Sequence, residues 1–277
     1  MSSTPLEALG TVQPRDGQMA LSWLGQAGFA FRAGDVTGLI DPFLSPYEGR
    51  RYDATLDPAS CRDLDVVLCT HEHVDHLDAD AVPAIAHASP MAVFGVPTPI
   101  VDMVTEAGVE PDRVVGLQPD ETFELGSLEV RAVPAMHGVT MDDAYGFGRE
   151  LSDGLVRFLG YVLSSAGTTV YHAGDTIRFD GMAELLAAFE VDAALLPING
   201  RDEERHARGI VGNLSEREAA RLATDIGAAL LVPMHYDLFT GNLGDPAELF
   251  RATDGPEPPI PVTVPLRDRT FLVTGSR

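Results

Sequence analysis

The run Thr70-His71-Glu72-His73-Val74-Asp75-His76 places three imidazoles and two carboxylates within six residues. Imidazole nitrogen and carboxylate oxygen are the ligand atoms favoured by zinc and its borderline neighbours. The run begins where the apolar stretch 65–70 ends, so a buried strand would deliver it to a sheet edge. An extended-to-helix turn there can aim His71 and His73 at one point and Asp75 and His76 at another, which implies two metal ions. The chain has only eight histidines in 277 residues, so a chance cluster in a solvated loop is a poor account of this run.

A single such run has too few ligands for two ions, and further His or Asp side chains are expected where other strands end. His137 closes the apolar stretch 129–136, Asp175 follows 168–174, and His235 follows 228–234. Any one of them could be a surface or capping residue; the same placement three times points to ligation. Two divalent cations sharing a water would lower its pKa and polarise the carbonyl or phosphoryl group under attack. Hydrolysis by a metal-bound hydroxide is therefore the expected reaction. Asp75 can both ligate and orient that hydroxide, Asp175 has two oxygens with which to bridge, and Asp75 and His235 are the candidate catalytic pair. Zinc is the first choice of metal, with manganese or iron as alternatives.

Around these lie weaker candidates. Asp41, before Pro42, could support a ligand imidazole or simply make a turn. His172 alternates away from Asp175 and reads as a core histidine; His87 and His206 read as surface residues, and Cys69 as a small buried hydrophobe. The polar stretch 199–209 should line the site, with Arg208, then Arg201, as partner for a substrate carboxylate or phosphate. Asn199, Asn213 and Tyr236 are further candidate substrate contacts.

Positioning these groups requires many short strands. Segments 19–24 and 29–34 around the turn Gly25-Gln26-Ala27-Gly28 read as a hairpin, and strand-like runs recur at 65–70, 92–97, 113–117, 128–135, 160–165, 168–174, 191–198, 228–234 and 270–275. Helical patterns lie at 78–88, 98–107, 182–190, 215–226 and 246–252, the fourth opened by the capping box Ser215-Glu216-Arg217-Glu218. Residues 1–18 read as a polar lead-in, 141–154 as a long Gly-rich loop, and 254–265 as a stiff Pro-rich connection. Hairpins mixed with strand-helix-strand units in both halves predict two packed sheets with helices outside, in one domain spanning 1–277.

Composition narrows the partners. Hydrophobic residues at 45% and charged ones at 22% describe a globular chain, which excludes disorder as the main theme. The net charge of −23, with every basic residue an Arg, argues against long nucleic acids. Cys61 and Cys69 are too few for a disulfide framework or a four-Cys zinc site, and suit a reducing cytoplasm. No signal-peptide pattern or run of about 18 apolar residues is present, so secretion and membrane insertion are not expected. A small-molecule substrate is the expected partner, and a homo-oligomer is compatible with the sequence.

Taken together, these residues resemble the metallo-β-lactamase superfamily, from the hairpin at Trp23 to the last strand. That resemblance implies a four-layer αββα fold with a dinuclear site at one edge. It implies that His71, His73 and His137 hold one metal and Asp75, His76 and His235 the other, with Asp175 bridging both. A narrower resemblance, to the L-ascorbate-6-phosphate lactonase-like branch, rests on Trp23-Leu24-Gly25-Gln26-Ala27-Gly28, Asp41-Pro42-Phe43, Tyr171-His172-Ala173-Gly174-Asp175-Thr176, Arg208-Gly209-Ile210 and Pro233-Met234-His235-Tyr236-Asp237. It implies a lactonase-like hydrolase acting on a small anionic lactone or ester. The alternatives on the same scaffold are a phosphodiesterase for a cyclic nucleotide or similar substrate, and a non-hydrolytic diiron protein.

Overall fold

Alternating side chains in the first hairpin decide how the chain layers. In β1 (Gln18–Gly25) and β2 (Gly28–Ala33), Met19, Leu21, Trp23, Phe29 and Phe31 enter one buried cluster, while Ala20, Leu24 and Ala30 enter another. A sheet that is apolar on both faces must be covered on both.

The computed structural model describes residues 4–138, 153–253, 259–267 and 269–276. β1 and β2 join β3 (Val36–Ile40), β4 (Val66–Leu68), β5 (Val93–Pro97), β6 (Val114–Leu117) and β13 (Thr270–Thr274) in a seven-stranded sheet of order β13-β1-β2-β3-β4-β5-β6. The second sheet contains β7 (Thr122–Leu125), β8 (Leu128–Pro134), β9 (Leu159–Ser165), β10 (Thr168–His172), β11 (Ala193–Pro197) and β12 (Leu230–Met234), in the order β12-β11-β10-β9-β8-β7. Their inner faces meet over Trp23, Phe29 and Phe31 from the first sheet and Tyr161, Leu163 and Tyr171 from the second.

Outside the first sheet, α1 (Pro5–Thr11), α2 (Val82–Ala88) and α3 (Val101–Glu106) bury Leu9, Val82, Ile85 and Val104 against Leu39, Val67 and Phe94. Outside the second, α6 (Glu216–Asp225) packs on β11 and β12 between α4 (Met182–Ala187) and α7 (Pro246–Thr253). This is the predicted four-layer αββα arrangement.

Strand direction then places the site. β3 and β4 are parallel, and β8, β10 and β12 share one direction in the other sheet. Their carboxyl ends reach a common edge, the usual place for a site in sheets of this kind. Tyr161 Oη ties the layers there by donating to the Cys69 carbonyl at 2.9 Å, and the Leu159 N–H donates to the Thr70 carbonyl at 3.1 Å.

Several elements differ from expectation. α1 occupies the supposed polar lead-in; Thr4 and Glu7 form a capping box there with Pro5 in the first turn, a local signal that was present in the sequence. β7 is a four-residue edge strand, too short for its alternation to stand out. α2 starts at Val82 rather than 78, because Asp78 accepts hydrogen bonds from Leu44 N, Ser45 N and Ser45 Oγ. The Ser215/Glu218 capping box forms as predicted. The stretch 199–209 is not all loop: Asp202 caps α5 (Glu203–Ala207). Of the predicted Gly-rich loop, 141–152 lies outside the described residues, as does 254–258 of the Pro-rich connection. Among the described residues, no helix is long and apolar enough to cross a membrane.

Candidate metal centre

Asp41 follows β3, the His71–His76 run follows β4, His137 lies beyond β8, Asp175 beyond β10, and His235 directly follows β12. Leaving the strands costs backbone strain. Asp41 and His235 adopt left-handed conformations with φ of 46° and 57°, a region that disfavours side chains by roughly 1–3 kcal/mol. Gly174, at φ 58°, swings Asp175 out of β10; a Cβ there would lie 2.8 Å from both the Leu159 carbonyl oxygen and Thr70 Cβ.

Seven side chains chosen from the sequence converge. His71, His73 and His137 form one group, Asp75, His76 and His235 another, and His71, His76 and Asp175 a third; within each, the ligand atoms lie within 4.8 Å of one another. Asp175 divides its oxygens: Oδ2 is 3.4 Å from His137 Nε2, whereas Oδ1 is 3.4 Å from His76 Nε2 and 3.3 Å from His235 Nε2. A tetrahedral site with bonds of about 2.0–2.1 Å has edges of about 3.3–3.4 Å. His76 Nε2 and Asp175 Oδ1 are buried without a hydrogen-bond partner, although an unmatched buried polar atom is costly. The donor set and these orphaned atoms fit bound metal.

Hydrogen bonds to the far ring nitrogens set the tautomers. His137 Nδ1 donates to the Gly212 carbonyl at 2.9 Å, and His76 Nδ1 to Asp41 Oδ2 at 2.7 Å, which turns each Nε2 toward Asp175. The Thr70 hydroxyl donates to Asp41 Oδ2 at 2.7 Å and accepts from His71 Nδ1 at 3.1 Å. Fully buried Asp41 thus orients two imidazoles, the supporting role considered for it, by a route through Thr70 that the sequence did not disclose.

Charge separates the two groups. Burial, reinforced by nearby imidazoles, holds His71 well below the usual histidine range; burial likewise takes His73 and His137 to about 4. Burial also opposes charge on His76 and His235, but Asp175, Asp75 and, for His76, Asp41 outweigh it, and both rise. Burial would push Asp75 and Asp175 up; the imidazoles around them bring both below the usual carboxylate range. In the metal-free protein near neutral pH, His73 and His137 are therefore unprotonated and His71 is held the same way, whereas the carboxylates favour protons on His76 and His235, with which a metal must compete. Metal binding to the first group is expected to release no proton above about pH 6. Binding to the second should release protons and weaken as pH falls, by roughly tenfold per pH unit for each proton displaced. Calorimetry in buffers of different protonation enthalpy counts those protons, and equal release at both steps would contradict the assignment.

A cavity of about 370 Å³ opens beside this cluster, lined by His137, Asp175, Asn199, Arg208, Asn213 and Asn242, among others. Arg208 is exposed, and its guanidinium makes no hydrogen bond or ion pair among the described residues. Arg201 is not brought in: Glu218 holds its guanidinium at 2.9 Å, and Arg201 Nη1 also donates to the Asn213 carbonyl. Asn199 and Asn213 reach the wall with their amides joined to each other at 3.0 Å, and Asn199 bonds Asn242 at 2.6 Å. Tyr236 instead stacks on Trp23, ring centroids 5.2 Å apart, because both rings are buried in the core. His172 donates to the Ala27 carbonyl at 2.8 Å as a buried core histidine, and His87 and His206 are exposed.

Sequence reasoning missed Thr70, Asn242, and the pairing of buried Arg157 with Glu72, which braces the His71–His73 turn. It also gave Gln26 no role. None carries a spacing signal, since each meets its partner only through contacts between segments distant in sequence.

The fold and the edge cluster define the class. Residues 37–236 match the family described as beta-lactamase superfamily domain, and the chain belongs to that family. It is 31% identical over 239 residues to UPF0173 metal-dependent hydrolase MK1542 of Methanopyrus kandleri, covering 85% of this chain and 92% of that protein. It is 28% identical over 200 residues to a Salmonella paratyphi B protein named "Probable L-ascorbate-6-phosphate lactonase UlaG", covering 70% of this chain and 55% of the relative. The match thus spans about half the length of that Salmonella protein. Among solved structures, isothiocyanate hydrolase from Delia radicum gut bacteria superposes with a TM-score of 0.73 at 20% identity, covering 92% of this chain and 99% of that one; this is a likeness of fold.

Proposed function

We propose that the protein is a metal-dependent hydrolase that opens a small anionic lactone or ester at a dinuclear centre. The observation that carries this reading is the convergence of seven ligand-type side chains, with His76 Nε2 and Asp175 Oδ1 buried and unbonded, beside a cavity bearing the uncommitted Arg208. The names of the Methanopyrus and Salmonella relatives support hydrolysis and a phosphorylated lactone, respectively.

His71, His73 and His137 would hold one ion and Asp75, His76 and His235 the other, with Asp175 between them. Two divalent cations, zinc first and manganese or iron as alternatives, would supply Lewis acidity and a water acidic enough to attack near neutral pH. Asp75 is the reachable carboxylate: its side chain is 16% exposed, against 6% for Asp175 and 2% for His235. Ionised Asp75 can accept the proton of an attacking water, while His235, set between Asp75 and Asp175, fixes the separation of the two carboxylates. Arg208 would receive the substrate's anionic group, because its guanidinium fork matches carboxylate or phosphate. The cytoplasm is the proposed location, supported by free thiols at Cys61 and Cys69.

Elemental analysis of protein purified without added metal, followed by lactones, esters and phosphodiesters assayed with the metal found, tests this reading. Two ions per chain and preference for an anionic lactone or ester are expected; one ion or fewer after metal is supplied, or preference for phosphodiesters, would overturn it. Arg208→Met should raise KM for a phosphorylated or carboxylated lactone by roughly 10- to 100-fold, the usual worth of a charged hydrogen bond. A neutral ester should be little affected, and equal effects on both would remove Arg208 from the anion site.

A further inference from the structure

The turn joining β1 to β2 carries a side chain whose local geometry is doubly unfavourable. Gln26 adopts a left-handed backbone conformation with φ 53°, and its Oε1 is buried without a hydrogen-bond partner. Left-handed backbone is costly for a residue with a side chain, and an orphaned buried acceptor adds to that cost. Both penalties would vanish with glycine, which is present at the neighbouring Gly25 and Gly28.

What the residue gains from this placement is contact with two ligand-type side chains. Gln26 Nε2 donates to Asp75 Oδ2 at 2.7 Å, and that contact identifies the nitrogen of the carboxamide, because an ionised carboxylate can only accept. The same nitrogen lies 3.0 Å from His235 Nε2. The Gln26 carbonyl accepts the His235 backbone N–H at 2.8 Å and Trp23 Nε1 at 3.0 Å. Gln26 thus holds His235 by the backbone hydrogen bond and Asp75 through its amide, whose nitrogen also lies against both ring nitrogens of His235, at 3.0 and 3.4 Å. Both residues belong to the group with His76, and none of these contacts reaches His71, His73 or His137.

We infer that Gln26 is a positioning residue for the Asp75/His76/His235 group and sets the affinity of that metal position independently of the other. The inference rests on the two-metal reading. Donation to Oδ2 limits rotation of the Asp75 carboxylate, and the backbone bond fixes the strained turn that projects His235. Groups that orient a metal ligand in this way commonly account for 10- to 100-fold in metal affinity.

Cobalt(II) titration of the full chain, followed by d–d absorption and chelator competition, tests this. Gln26→Gly keeps the left-handed turn and removes the carboxamide; Gln26→Met keeps the length and removes both N–H donors. In each variant the first equivalent should bind with unchanged affinity and spectrum, while the second weakens at least tenfold with an altered spectrum. A second equivalent that binds both variants as it binds the unmutated protein overturns the inference alone. Parallel loss of both equivalents also overturns it, since it would make Gln26 a general structural residue. Failure of the unmutated protein to take a second equivalent overturns the inference together with the two-metal reading.

Discussion

Asp175→Ala is expected to abolish dinuclear metal binding and to lower kcat by roughly 10³-fold or more. Among the described residues, Asp175 is the side chain whose two oxygens face both histidine groups, Oδ2 toward His137 and Oδ1 toward His76 and His235. Its loss removes the anion that the two groups share and leaves Asp75 beside His76 and His235, and Lewis acidity of this kind is worth several kcal/mol of transition-state stabilisation, at about 1.4 kcal/mol per tenfold. Asp175→Asn should be nearly as damaging, since it keeps the shape but neither the charge nor two acceptor oxygens. The fold should survive, because His76 and His235 can shed protons that Asp175 helps to hold. Metal content, hydrolysis rate and circular dichroism measured on the same preparations separate these effects. An Asp175→Ala protein that keeps two ions and turns over within tenfold of the unmutated chain would remove Asp175 from the bridging position.

The second large effect is expected one layer further from the substrate. Asp41 accepts from Thr70 N at 2.8 Å, Thr70 Oγ1 at 2.7 Å and His76 Nδ1 at 2.7 Å, with no exposure to solvent. Asp41→Asn would set an amide N–H against donors, and His76 could relieve the conflict by moving its proton to Nε2, the atom that faces Asp175. Metal affinity should fall about 10- to 100-fold. Asp41→Ala should also destabilise the protein by about 1–3 kcal/mol, because buried donors lose their acceptor. Chelator competition and thermal melts of the metal-free protein read the two quantities separately. Unchanged metal affinity in Asp41→Asn would show that His76 needs no such orientation.

The His71–His76 run could be read from the sequence because metal ligands packed into a turn after an apolar strand carry their own spacing. His137, Asp175 and His235 were legible for a related reason: strand ends lie at sheet edges, so an apolar run followed by His or Asp predicts both a place and a chemistry. The four layers followed from hairpin and crossover units with apolar faces that had to be covered. Local signals could still be passed over, as at α1, whose capping box reads plainly in Thr4-Pro5-Leu6-Glu7.

Only the tertiary structure decided which side chains hold the ligands in place. Asp41 meets His76 because β3 and β4 lie side by side, and Gln26 meets His235 because packing brings together residues 209 positions apart. Periodicity reports which face of an element is buried, but it does not report what lies across the interface. The two arginines make the same point. Arg208 and Arg201 are the first and second candidates in one polar segment, and Glu218 of α6 occupies Arg201 while Arg208 remains on the cavity wall. A guanidinium is available to a ligand only if no carboxylate reaches it first, and that depends on where a separate helix packs.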